Sequence, residues 1–233
     1  MEDTMSSSWA QLLGGDLGGA RRTNWLAQLI TEVPGGYDYV VIDVGPSLGA
    51  LNRSIIIGTD YVVTPTAADL FSLFALENIA EWITYWSRQY LGAVERVEET
   101  FGEDAREVGV TREKELKARY LGYTIQQYVS KSSSDGKRRG VKSYDFYRNQ
   151  IPKKAQKLVD SLGPLQGGGA HDLGTVPHMF SMVPLAQGRH APIASLTKDD
   201  GLRGAQISQQ AKYRDQLEQI GDKLIELLLA QES

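Results

Sequence analysis

The chain has 233 residues, 41% hydrophobic and 23% charged, with a net charge of -4, a composition that fits a globular protein and excludes a largely disordered one. It contains no cysteine, which excludes a disulfide framework and a thiolate metal site. The opening MEDTMSSSWAQLLGG lacks a basic start before an apolar stretch, and nowhere do about 18 apolar residues run together, so the expectation is a cytoplasmic chain with no membrane segment.

In chain order, GGDLGGARRT (14 to 23) is the first glycine-rich stretch, with no apolar strand before it. YDYVVID (37 to 43) is continuous, β-branched and apolar, which predicts a strand buried on both faces with Asp43 at its carboxyl end. Gly45-Pro46-Ser47-Leu48-Gly49 follows and fits the G-x-S-x-G elbow of serine hydrolases. A hydrolase also needs an acid and a histidine after the serine. Asp172 or Asp199 could be nominated with His171, His178 or His190, but no HGGG-like loop precedes Ser47 and Pro46 restricts the backbone before it. Ser47 therefore reads as a helix-start hydroxyl that accepts a backbone N–H. DYVVTP (60 to 65) predicts a second buried strand, and Leu76, Ile79, Ile83, Trp86 and Tyr90 step at helical spacing. The aromatic set Phe71, Phe74, Trp82, Tyr85 and Trp86 reads as packing. LGYTIQQYV (121 to 129) and MFSMV (179 to 183) predict further strands, separated by loop-like stretches at 130 to 140 and 163 to 174. Tyr213, Leu217, Ile220, Leu224 and Leu227 predict a helix near the carboxyl end. Strands alternating with helices imply one domain over 1–233, a doubly wound, mostly parallel α/β sheet flanked by helices, whose ligands lie outside the carboxyl ends of the strands.

The ordered series YDYVVIDVGPSLGALNRSIIIGTDYVVTPTAADLFSLFALENI resembles the ParA/MinD family of deviant P-loop ATPases. The family's Walker B strand, P-P-S-L, aDxVixP strand and F-S-L helix start are similar here to 37–43, 45–48, 60–65 and 71–73, with Gly45 in place of the first proline. The resemblance covers 37–80 closely. More loosely it covers 121–229, where LGYTIQQYV is similar to the strand near the adenine and MVPLAQGRHAPIASL to the I-P segment. It implies ATP and magnesium as cofactors, Asp43 holding magnesium through water, and Gln126, Val183 and Pro184 flanking the base. The family's K-G-G-x-G-K-[ST] phosphate loop is not in this sequence: Gly19 is followed by Ala20 and Arg21. A D-x-D motif is absent too, so the expectation is a P-loop NTPase-like chain that is incomplete at its amino end. It would be the carboxyl portion of such an ATPase, or a non-catalytic scaffold that keeps the fold.

Charge suggests the partner. From Lys131 to Lys157 nine Lys and Arg face two Asp, a net +7 that leaves -11 for the rest of the chain. Arg138, Arg139 and Lys142, with Lys153, Lys154 and Lys157 after Pro152, form a candidate surface for non-specific DNA binding. The resemblance adds DNA or plasmid partitioning, a homodimer and a ParB-like activating protein. The acidic tail, with Asp215, Glu218, Asp222, Glu226 and Glu232, has the wrong sign for anionic lipid, so no membrane is expected.

Overall fold

The computed structural model describes residues 1–110, 114–128, 130–132, 138–140 and 142–232. In chain order these form α1 (Glu2–Leu13), α2 (Leu17–Thr23), α3 (Trp25–Glu32), α4 (Ala50–Gly58), β1 (Tyr61–Ala67), α5 (Leu70–Phe101), α6 (Glu103–Glu107), β2 (Arg119–Tyr128), β3 (Ser130–Ser132), β4 (Arg138–Gly140), α7 (Lys142–Arg148), α8 (Ile151–Leu162), β5 (His171–Pro177), α9 (Met182–Arg189) and α10 (Ala205–Glu232). The chain folds as two compact units: 1–62, 77–120 and 157–164 in the first, 63–76, 121–156 and 165–233 in the second.

The first unit is helical at its core. Met5, Trp9 and Leu12 from α1 pack with Ala20 of α2, Ala50 of α4 and Ala93, Val94 and Val97 of α5. The small residues are what let the helices approach: a Cβ added at Gly19 would lie 2.5 Å from the backbone nitrogen of Leu12. Trp9 is 1% exposed, and its indole N–H donates to the Ala50 carbonyl and the Ser54 hydroxyl, both at 3.1 Å. Its polar atom is thus satisfied where water cannot reach.

The sheet runs β1-β2-β5. β2 and β5 are parallel, with Gly122 opposite His171 and Ile125 opposite Thr175. β2 is central and buries Tyr120, Leu121, Tyr123 and Ile125, as a strand covered on both faces must. In the second unit α10 packs along β5. A smaller core there gathers Met179, Met182, Ala186, Leu196 and Leu202. β3 and β4 form a separate antiparallel pair.

The expected strands at 60–65 and 121–129 form as β1 and β2, the latter as far as Tyr128 since Val129 lies outside the described residues, and the two expected helices lie within α5 and α10. Two expectations are corrected. YDYVVID (37–43) is not a strand, so Asp43 is not at a strand end; Tyr37 is 70% and Val41 88% exposed. Strand propensity there meets no neighbouring ladder among the described residues, and a strand exists only through its pairing. MFSMV (179–183) instead turns into α9. Phe180 has φ 42 and its N–H donates to His178 Nδ1 at 2.9 Å, while Pro184 falls in the first turn of the helix, where its missing N–H costs nothing. The strand lies earlier, in β5, where part of the expected loop 163–174 pairs with β2. Of the expected loop 130–140, residues 130–132 and 138–140 are β3 and β4, and 133–137 lie outside the described residues.

Candidate functional site

Asp43 lies in the exposed stretch that leads into α4. The turn after it is held by Asn52, whose side-chain N–H groups donate to the carbonyls of Gly45 (2.7 Å) and Ser47 (2.6 Å). The Ser47 hydroxyl accepts the Gly49 N–H at 3.4 Å, the local role expected for a helix-start hydroxyl. The first-turn amides of α4 are taken by the chain itself. Glu2 accepts from the backbone N–H of Ala50 (2.5 Å) and Leu51 (3.2 Å), a carboxylate at the positive end of a helix dipole. Gly49 makes room for it, since a Cβ there would collide with the Glu2 carboxylate.

The glycine-rich stretch 14–23 is equally committed. It forms the turn from α1 into α2, with Asp16 accepting from the Gly19 N–H at 2.6 Å. Gly19 is there for helix packing, not for cradling a phosphate.

Nothing in the sequence marks Arg53, yet its guanidinium lies 3.5 Å from the Trp86 ring centroid and 5.6 Å from that of Trp9. Burial holds its pKa below the ordinary arginine value, opposed by the charges of Glu2 and Tyr85. Its Nε is buried with no hydrogen-bond partner, so the aromatic faces supply the stabilisation that water otherwise would. Of the aromatic set, Trp86 is in this core, whereas Phe71 (83%), Phe74 (53%) and Tyr85 (56%) are exposed. A pattern of letters did not separate the two kinds.

In the second unit, Gln126 is near the end of β2 and donates to the Thr124 hydroxyl at 3.1 Å. The Thr66 hydroxyl donates to the Thr124 carbonyl at 2.8 Å, tying β1 to β2. At the start of α5, Asp69 accepts from Ser72 N–H (2.7 Å) and the Ser72 hydroxyl accepts from Ala67 N–H (3.0 Å), which closes the exit of β1. Val183 lines an open groove of about 550 Å³ with Ala186, Gln187 and residues 190–193. Pro184, exposed on α9, and Gln126 are not among the residues that line it.

The opposite end of β5 carries a cluster the sequence did not flag. Lys223 of α10 donates to the Asp172 carbonyl, Arg148 of α7 lies 3.9 Å from the Asp172 carboxylate, and His171 Nε2 is buried without a partner. Burial and Lys223 together push the His171 pKa below its ordinary value. Burial, then Asp172, pushes the Tyr123 phenol up to about 12.

Among the candidate DNA-binding residues, Lys153 is exposed on α8, and Lys154 is half-buried beside it. Lys157 is paired with Glu77 at 2.6 Å, a contact that raises its pKa. Arg138 and Arg139 belong to β4 and Lys142 opens α7; of these three only the backbone is described. Among the described residues no group of three or more His, Asp or Glu is placed to hold a metal, and no helix is long and apolar enough to cross a membrane.

Residues 15–93 match a family model described as an AAA domain. None of the curated proteins matches the chain. Among solved structures, the crystal structure of protein DIP2308 from Corynebacterium diphtheriae is similar at 35% identity and a TM-score of 0.61, covering 77% of this chain and 57% of that one. The chain thus spans little more than half the length of that relative. The matched segment contains Asp43 and the turn that follows it. Together with the parallel sheet flanked by helices, the two matches give the chain an α/β fold of the P-loop NTPase-like kind.

Proposed function

We propose that this chain is a ParA-like, DNA-associated module acting in the partitioning or positioning of DNA or of a large complex, with ATP hydrolysis dependent on a phosphate loop that its sequence does not contain. The observation that carries the reading is the family match over 15–93, which includes the ordered series from Tyr37 to Ile79. In this reading Asp43 is the acid for magnesium, Gln126 and Val183-Pro184 flank the base, the working form is a homodimer, and a ParB-like protein is its activating partner in the cytoplasm.

The residues present do not by themselves make a site for Mg-ATP. The α4 amides are occupied by Glu2, the glycines at 14–19 serve a helical turn, and a phosphate site needs free backbone amides and a lysine. No hydrolytic step is assigned to this chain. The same facts favour a second reading, a non-catalytic scaffold that keeps the fold. Calorimetric titration with Mg-ATP tests the first part: the expected result is no tight binding, and micromolar affinity would overturn it. Titration with duplex DNA tests the second. Binding should be independent of sequence, with log K falling against log salt at about -0.9 per phosphate neutralised. No binding at low salt removes DNA from the account.

A further inference from the structure

One side of α10 is committed to the second unit. Ile220 lies against β5, where a Cβ added at Gly174 would be 2.8 Å from it, and Leu228 is buried. Gln210 donates to the carbonyls of Ile193 and Leu196, both at 2.7 Å. A second stripe of the helix is turned to solvent. Ile207 and Ala211 open it and Ile225 and Leu229 close it, all exposed. Between them lie Arg214, Glu218 and Asp222, exposed as well.

The stripe repeats every 11 residues, from Ile207 to Glu218 and from Glu218 to Leu229. That spacing is about 3.67 residues per turn, near enough to the 3.6 of an α-helix for the stripe to run almost parallel to the axis. On either side of Glu218 the steps are four, three and four, so the stripe reads the same in both directions. A two-fold contact between antiparallel helices requires that symmetry, because each position after the centre meets the one equally far before it on the other copy. Centred on Glu218, the pairing sets Ile207 against Leu229, Ala211 against Ile225 and Arg214 against Asp222, each twice. The charges agree: a parallel pair would oppose Arg214 to Arg214 and Asp222 to Asp222, whereas the antiparallel one joins opposite signs and also opposes the helix dipoles favourably. Arg214 gives one donor to the Ala194 carbonyl at 2.7 Å, of the five that a guanidinium carries.

We propose that this outer stripe of α10 docks against a second copy of the chain, the two helices antiparallel, with Arg214 of each against Asp222 of the other. The inference goes beyond the function proposed above, which names a homodimer without a surface, and it needs neither nucleotide nor DNA. Glu218 meets its counterpart at the axis, a repulsive contact that keeps the pairing weak.

The test is sedimentation equilibrium, without nucleotide or DNA, of the full chain carrying Val41→Lys, which removes association through the exposed segment 37–44. A discrete monomer–dimer equilibrium is expected below about 1 mM. Arg214→Asp and Asp222→Arg should each weaken the dimer about tenfold, because symmetry counts every reversal twice. The two together restore opposite charges and should return the original dissociation constant. Glu218→Gln should tighten the dimer by removing the repulsion at the axis, and Ile225→Asp should leave a monomer. A dimer unmoved by both single reversals, or a double variant no tighter than the singles, would overturn the α10 pairing and give the homodimer another surface. A chain still monomeric at about 1 mM would overturn it too, and leave the stripe to a helix of a different protein.

Discussion

At the residue scale, the close approach of α1 and α2 depends on Gly19. A methyl group 2.5 Å from Leu12 N and 2.7 Å from Gln11 Cβ forces the helices apart, so Gly19→Ala should destabilise the chain by about 2 kcal/mol, read by denaturant unfolding. A phosphate-binding glycine would give a different result, lost nucleotide affinity with little change in stability. Trp9 combines 1% exposure with two buried acceptors for its N–H and a T-shaped contact with Trp86 at 5.5 Å. Trp9→Ala should therefore cost about 4 kcal/mol and release Arg53 from one of its aromatic faces. Ser47→Ala should change stability by less than about 0.5 kcal/mol, because its hydroxyl makes only the long contact with Gly49 N–H. Labelling of Ser47 by a fluorophosphonate probe would restore the hydrolase reading.

At the element scale, the informative segment is the one that does not form an element. Residues 37–44 have the composition of a strand, yet Tyr37, Tyr39, Val40, Val41 and Val44 are all exposed. Exposed strand-forming apolar sequence invites pairing with another chain. Purified protein should scatter light increasingly with concentration, and Val41→Lys, at a position 88% exposed, should suppress that scattering without lowering the melting temperature. A chain that stays monomeric at high concentration would show that the segment is covered in solution. β1, at the edge of the described sheet, is better protected: Pro65 removes one backbone donor from it and the Ser72 hydroxyl occupies the N–H of Ala67. The two elements share a β-branched composition and differ in whether the ladder beside them is made.

At the scale of the whole molecule, stability should have a plateau bounded by two groups of the second unit. His171 has a folded pKa below the ordinary 6.5, so the unfolded chain binds the proton first; its contribution is present above about 6.5 and is lost as pH falls through the folded value. Tyr123 has a folded pKa raised from 10.0 to about 12, so its contribution is present below 10 and is lost as pH rises towards 12. Unfolding free energy measured against pH should fall on both flanks, and His171→Gln should remove part of the acid flank alone. An acid flank unchanged in that variant would show that other groups control it. The sequence by itself determined the alternation of strands and helices, β1, β2, α5 and α10, and the resemblance at 37–80, because hydrophobic period and ordered motifs are local properties of the chain. Asp43 was a candidate acid on the resemblance alone, and the strand end expected to position it did not form. What only the tertiary structure decided was which strand-like segment finds a partner. HDLGTVP has a glycine-rich approach and weak propensity, yet becomes β5 because β2 offers it a parallel ladder, whereas YVVID has strong propensity and no ladder among the described residues. It decided likewise that the glycines at 14–19 serve helix packing and that Glu2 fills the amino end of α4, since hydrogen bonds and close approaches between segments distant in sequence leave no periodic trace in it.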